Sequence, residues 1–149
     1  MRHAHHKRPN AEMSGLARQL RGKSRKMTRA RQAVLEILRK QDHPLSIKEI
    51  FRALPAGHCD LATVYRLLNL LENLGIVKRF DFGEGAARFE LVPEGEDGHH
   101  HHLVCTQCSD VVELDECFPV ELEKNIATRS GYARVTHKLE FFGLCPRCQ

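Results

Sequence analysis

Two CxxC pairs, Cys105-Thr-Gln-Cys108 and Cys145-Pro-Arg-Cys148, stand 36 residues apart near the end of a 149-residue chain. Each pair can place two thiolates on one cation, and two pairs complete a tetrahedron. Four thiolates favour Zn(II), and a site closed by four protein ligands is structural rather than catalytic. The alternative, two disulfides, belongs to an oxidising compartment. No secretory signal and no apolar run of membrane-spanning length is visible, so a reducing setting, the cytoplasm, is expected. The interval between the pairs is longer than in simple zinc ribbons, and a strand, a helix and a second strand must fit inside it. Cys59 and Cys117 fall outside the pairs and are expected to be buried or idle thiols.

His99-His100-His101-His102 runs directly into Leu103-Val104-Cys105. Alternate side chains of a strand share a face, which sends His100 and His102 one way and His99 and His101 the other. Two separate two-histidine clusters follow; the bland alternative is a solvated polar loop. Histidine with carboxylate suits Zn(II), Fe(II), Mn(II) or Ni(II), and these residue types do not choose among them. Glu90, Glu113 and His137 are candidate partners, with His43 and His58 further forward. A site drawing ligands from two domains would couple metal occupancy to their orientation, through differential affinity for one arrangement.

The elements that position these residues follow from periodicity and caps. A short helix is expected over 12–22. Val34, Leu35, Ile37 and Leu38 recur at helical spacing, predicting a helix over 29–41 capped by Thr28. Ser46 opens a helix over 47–54 with Ile47, Ile50, Phe51 and Leu54 on one face. Asp60 opens another that stops at Gly75, with Leu61, Val64, Leu67, Leu68, Leu71 and Leu74 as its apolar stripe. Residues 76–80 and 87–91 read as strands around Gly83-Glu84-Gly85. Three helices followed by a hairpin make a winged helix-turn-helix, with the helix over 61–74 in the recognition position. The polar segment 93–98 is the expected hinge. Beyond it, strands are expected at 101–105 and 111–114, a helix at 118–130 and a long strand over 134–142. A back domain of about 50 residues buries little surface and needs a metal staple or a partner chain.

Charge divides along the same boundary. Residues 1–31 carry +9, residues 32–92 balance at zero and residues 93–149 carry −5, within a net +4. A basic front suggests a polyanionic partner, against the plain reading of a solvated tail. The core must be largely aliphatic, since there is no Trp and only two Tyr and seven Phe.

Taken together, these motifs resemble the ferric uptake regulator (Fur) family over roughly residues 24–148. The resemblance rests on Leu61-Ala-Thr-Val-Tyr-Arg66, Phe89-Glu90-Leu91, His99-His-His-His-Leu-Val-Cys105-Thr-Gln-Cys108, His137 and Gly143-Leu-Cys145-Pro-Arg-Cys148. It implies an α+β chain: an N-terminal winged helix-turn-helix and a small α/β dimerisation domain with structural zinc on Cys105, Cys108, Cys145 and Cys148. It implies a regulatory metal site from Glu90, His100, His102 and Glu113. The family's front-domain histidine falls on Pro44, so His43 with a one-residue shift, or His58, takes that place. A further site in some members corresponds to His99, His101 and His137. Its helix glutamate aligns with Val120, beside Glu121. The family's glycine after the first CxxC is Ser109. For DNA, the resemblance implicates Lys26, Tyr65 and Arg66. Chemistry adds Thr63 and Asn69 on the same helix and Arg31 in the basic segment, where phosphates or a narrow A·T-rich minor groove can be held.

The expectation is a cytoplasmic, homodimeric, metal-responsive repressor of metal-uptake or homeostasis genes, binding an A·T-rich inverted-repeat operator. The organisation is a basic disordered tail (1–11), a DNA-binding domain (12–92), a hinge (93–98) and a metal-binding dimerisation domain (99–149). Fe(II) is the first choice of signal because Glu90 is a hard donor; Zn(II) sensing is second, and manganese or peroxide sensing third. Two rivals come from other classes. A zinc enzyme needs an open zinc position beside a general base, whereas four thiolates close the site and no H-x-E signature is present. A zinc-ribbon interaction module predicts no role for metal at the histidines and no duplex binding.

Overall fold

The computed structural model describes residues 12–83, 85–92, 100–114 and 120–149, with Val120 in its backbone only. The expected tail over 1–11, the hinge over 93–98, His99 and Cys117 lie outside the described residues. The chain divides into two compact units, Met1–Gly98 and His99–Gln149.

The first unit runs α1 (Met13–Gly22), α2 (Arg29–Arg39), β1 (Leu45–Ser46), α3 (Ile47–Ala53), α4 (Leu61–Asn73), β2 (Val77–Asp81) and β3 (Ala87–Leu91). Each predicted cap is made. Thr28 Oγ1 accepts from the Arg31 amide at 3.3 Å, and Asp60 Oδ1 accepts from the Thr63 amide at 2.7 Å. Ser46 and Glu49 form a reciprocal capping box, which satisfies two amides that a helix start would leave orphaned. Helix α4 ends in a Schellman turn. Gly75 takes φ +67°, and the Ile76 amide donates to the Leu71 carbonyl at 2.9 Å. That conformation is why a glycine stands there.

The apolar stripes meet as expected. Leu16, Leu20, Val34, Leu35, Ile50, Val64, Leu68, Leu71, Ile76 and Phe89 are buried in one core. Burying each such side chain contributes about 1.5–3 kcal/mol. Two expected core residues depart from it, Leu61 at 43% exposure and Phe51 at 38%. Leu61 is the first residue of α4, and Phe51 is rotated about 100° from the buried Ile50. Helix α2 stops at Arg39, two residues before the expected end, and the first wing strand is shifted by one residue to Val77–Asp81. Strand β1 has no signal in the sequence. Two residues have no readable period, and this strand exists only by pairing Leu45 with Phe89 and Ser46 with Arg88. The sheet order is β1-β3-β2, all antiparallel.

The second unit contains β4 (His101–Cys105), β5 (Val111–Leu114), α5 (Val120–Ser130) and β6 (Glu140–Gly143), with sheet order β5-β4-β6. Strand β4 is antiparallel to β5 and parallel to β6. The strand expected over 134–142 is confined to Glu140–Gly143. Arg134 takes φ +57°, which a strand does not accommodate, and pairing with β4 begins only at Glu140. The helix expected over 118–130 is described from Val120, and residues 118 and 119 lie outside the described residues. Among the described residues no helix is long and apolar enough to cross a membrane.

Candidate metal centres

The strand register assembles the thiols. Cys105 ends β4 and pairs with Gly143 of parallel β6, two residues before Cys145. The knuckle after each strand then turns its second cysteine back. Ser109 takes φ +59° as the first knuckle closes, its amide donating to the Cys105 carbonyl at 3.0 Å. This is the conformation glycine adopts most easily. The Cys148 amide donates to the Cys145 carbonyl at 2.9 Å, and the Cys145 amide reaches Cys105 Sγ at 3.3 Å.

The four sulfurs lie within 4.8 Å of one another, and Cys108 Sγ and Cys145 Sγ are 3.6 Å apart. Tetrahedral zinc with bonds near 2.3 Å separates its sulfurs by about 3.8 Å, so the donor set fits the ion. The electrostatics agree. Backbone amides of Cys108, Cys145 and Gln107 hold the Cys105 thiol down to about 6, while the crowding thiols of Cys108 and Cys145 push Cys148 up to about 12. Four thiolates cannot coexist without a cation, and a dication removes that conflict.

A second group lies on the same sheet. The His100 and His102 rings stand 4.9 Å apart, edge to face. His102 is 1% exposed and is the register partner of Glu113, whose Oε1 is 3.8 Å from His100 Nδ1. This is a nitrogen and oxygen donor set, harder than the thiolates.

The opposite histidine face leads elsewhere. His101 Nδ1 meets the Leu139 carbonyl at 3.3 Å, and His137 Nδ1 meets Glu123 Oε1 at 2.6 Å. Both partners are acceptors, so each neutral ring carries its proton on Nδ1 and its lone pair on Nε2. The two Nε2 atoms face one another at 3.1 Å. Two lone pairs repel at that distance unless a proton or a cation lies between them. An ion about 2.1 Å from each nitrogen fits the gap, with the acceptors fixing ring orientation from behind. The glutamate that meets His137 is Glu123; Glu121 is exposed on the same helix. Linear spacing could not distinguish them, because α5's angular setting against His137 is a tertiary feature.

In the first unit, Glu90 is 4% exposed on β3. His43 is half-buried, with Nδ1 3.0 Å from Asp42 Oδ1. The β1–β3 pairing ties the segment after His43 to the strand that carries Glu90. His58 is exposed, in a shallow groove beside Arg29, Glu36 and Lys40. Arg88, 6% exposed, reaches Glu49 Oε2 at 3.1 Å and the Pro44 carbonyl at 3.5 Å, bracing the same segment from β3. Cys59 sits half-buried at the core's edge, where burial and then Asp60 push its thiol up.

The polar side of α4 carries Tyr65, 49% exposed, and an exposed Arg66 whose Nη2 donates to Thr63 Oγ1 at 3.0 Å. Asn69 is half-buried one turn on. Lys26 is exposed before α2, and Arg31 Nη1 donates to its carbonyl.

Comparison with known proteins identifies the lineage. The model of the ferric uptake regulator family matches residues 22–142. This chain belongs to the ferric uptake regulator family. The Legionella pneumophila ferric uptake regulation protein is 39% identical over 136 residues, covering 89% of this chain and 98% of that protein. The Francisella tularensis ferric uptake regulator with iron is 31% identical with a TM-score of 0.72, covering 83% of this chain and 93% of that one. A zinc-bound manganese uptake regulator is 30% identical with a TM-score of 0.71, covering 87% and 98%. As a Fur-family member the chain is a metal-responsive regulator with an α+β fold, not an enzyme. Solved relatives that carry iron and zinc share its architecture, so the fold does not select the metal.

Proposed function

We propose that this Fur-family protein is an Fe(II)-responsive, homodimeric DNA-binding repressor of metal-uptake genes, acting in the cytoplasm on an A·T-rich inverted-repeat operator. One observation carries the reading: the second unit separates a soft, four-thiolate set from a harder histidine–carboxylate set on the same sheet. Zinc on Cys105, Cys108, Cys145 and Cys148 is a permanent staple. His100, His102 and Glu113, with Glu90 and His43 from the first unit (or His58 in place of His43), hold the exchangeable regulatory ion. Imidazole with carboxylate suits Fe(II), with Zn(II) the next choice and Mn(II) after it. His101 and His137 hold a further ion, with His99 as a further expected ligand and Glu123, in place of the expected Glu121, as the helix carboxylate that orients His137 from behind.

The winged helix supplies the DNA surface: Thr63, Tyr65, Arg66 and Asn69 toward base edges and Lys26 and Arg31 toward phosphates. Support for a dimer comes from Val112, Leu103 and Phe141, neighbours in register across the sheet and each about 40% exposed. A second copy would cover that row, and isologous pairing matches a palindromic operator.

The test is binding to an A·T-rich inverted-repeat duplex by fluorescence anisotropy. Protein retaining its tight zinc receives Fe(II) anaerobically, Mn(II) or Zn(II) in turn. Tightening at the lowest free concentration with Fe(II) is expected. Tightening only with Zn(II) would transfer the assignment to zinc sensing, and metal-independent behaviour on duplexes selected from a random pool would overturn the regulator reading.

A further inference from the structure

His102 has a carboxylate on each side. Its register partner on β5 is Glu113, and its register partner on β6 is Glu140. Register partners project to the same face of a sheet, from strands about 4.8 Å apart. Exposure agrees. The adjoining residue on each strand, Leu103, Val112 and Phe141, is 38–40% exposed on the opposite face, while His102 is 1% exposed. The side chain of Glu140 is 17% exposed. Its Oε1 is shielded from solvent and makes no hydrogen bond among the described residues. Its ionic neighbour is Lys138 Nζ at 3.1 Å, out of hydrogen-bond alignment, on a side chain 67% exposed. The ammonium meets that charge from solvent without an aligned hydrogen bond, so a metal ion can compete with it for this oxygen.

We infer that Glu140 is an additional metal-holding carboxylate of the His100/His102 centre, on the side of His102 away from Glu113. The inference rests on the regulatory-centre reading above. With Glu140 the donor set gains a second hard oxygen from the sheet itself, which favours ions of high coordination number over tetrahedral zinc. Lys138 holds the carboxylate's charge until the ion displaces it.

The experiment is chelator competition for Mn(II) on the full chain, with structural zinc retained and counted in each variant. Glu140→Gln is expected to weaken Mn(II) at this centre about tenfold or more, as loss of a supporting ligand does elsewhere. Lys138→Met breaks the same ion pair from the other end and is expected to leave Mn(II) binding unchanged or tighter. Affinity within twofold of wild type in Glu140→Gln overturns the inference. So does equal weakening in both variants, the signature of an ion pair with a structural role only. Failure of the underlying reading is separate: it appears as an unchanged number of bound Mn(II) ions in His100→Ala with His102→Ala.

Discussion

At the scale of single residues, donor type and spacing carry most of the chemistry. Replacing His100 and His102 together by Ala is expected to leave zinc content and folding intact while DNA affinity no longer changes with added metal. A persisting metal response in anisotropy would move the sensor elsewhere. Tyr65→Ala with Arg66→Ala should weaken operator binding at least about tenfold, since one good base contact contributes about 1–3 kcal/mol. Circular dichroism and zinc content should not change, because both side chains are exposed. Glu49 gives a pH prediction. Burial raises its pKa, but hydrogen bonds from Ser46 and the charge of Arg88 more than offset that, and the net shift is downward. A depressed carboxylate stabilises the fold fully above its unfolded value, about 4.3. That contribution fades as pH falls through the folded value. Urea midpoints of wild type and Glu49→Gln should therefore converge as the solution is acidified below about pH 4.

At the scale of elements, caps and stripes made α2, α3 and α4 legible, because each satisfies its own backbone groups locally. Leu68, fully buried within α4, should cost about 2–5 kcal/mol when cut to Ala, read from urea unfolding. Ser46→Ala removes one arm of the capping box and should cost about 1 kcal/mol in the same measurement. Strand β1 shows the limit of such reading. Leu45 and Ser46 are a strand only because Phe89 and Arg88 lie alongside, and β3 is far away in sequence. The same limit explains the shortened β6. The run from Arg134 is strand-like in composition, but β4 offers partners only from His102 onward, opposite Glu140.

At the scale of the whole molecule, the second unit is expected to depend on metal at its four cysteines. It is about 50 residues long, and its sheet leaves Leu103, Phe141 and Phe142 exposed. Chelators strong enough to strip the tight zinc should unfold it, seen as loss of strand signal and of any dimer by light scattering. A charged residue in the exposed row, Leu103→Glu, should shift the assembly toward monomer while zinc stays bound. An unshifted mass would place the interface on another surface.

The sequence alone determined the donor inventory, the two thiolate pairs, the alternation of the histidines, the basic front and the three capped helices. All of these depend on residue type and short-range period, which a linear chain displays directly. Tertiary structure decided which carboxylate meets which histidine. Glu123 rather than Glu121 reaches His137, because only the setting of α5 against the sheet fixes which helix face turns inward. Glu140 came alongside His102 only through a parallel register between strands 35 residues apart, counted from the end of β4 to the start of β6. Register is a property of paired strands, and a single strand carries no mark of its partner.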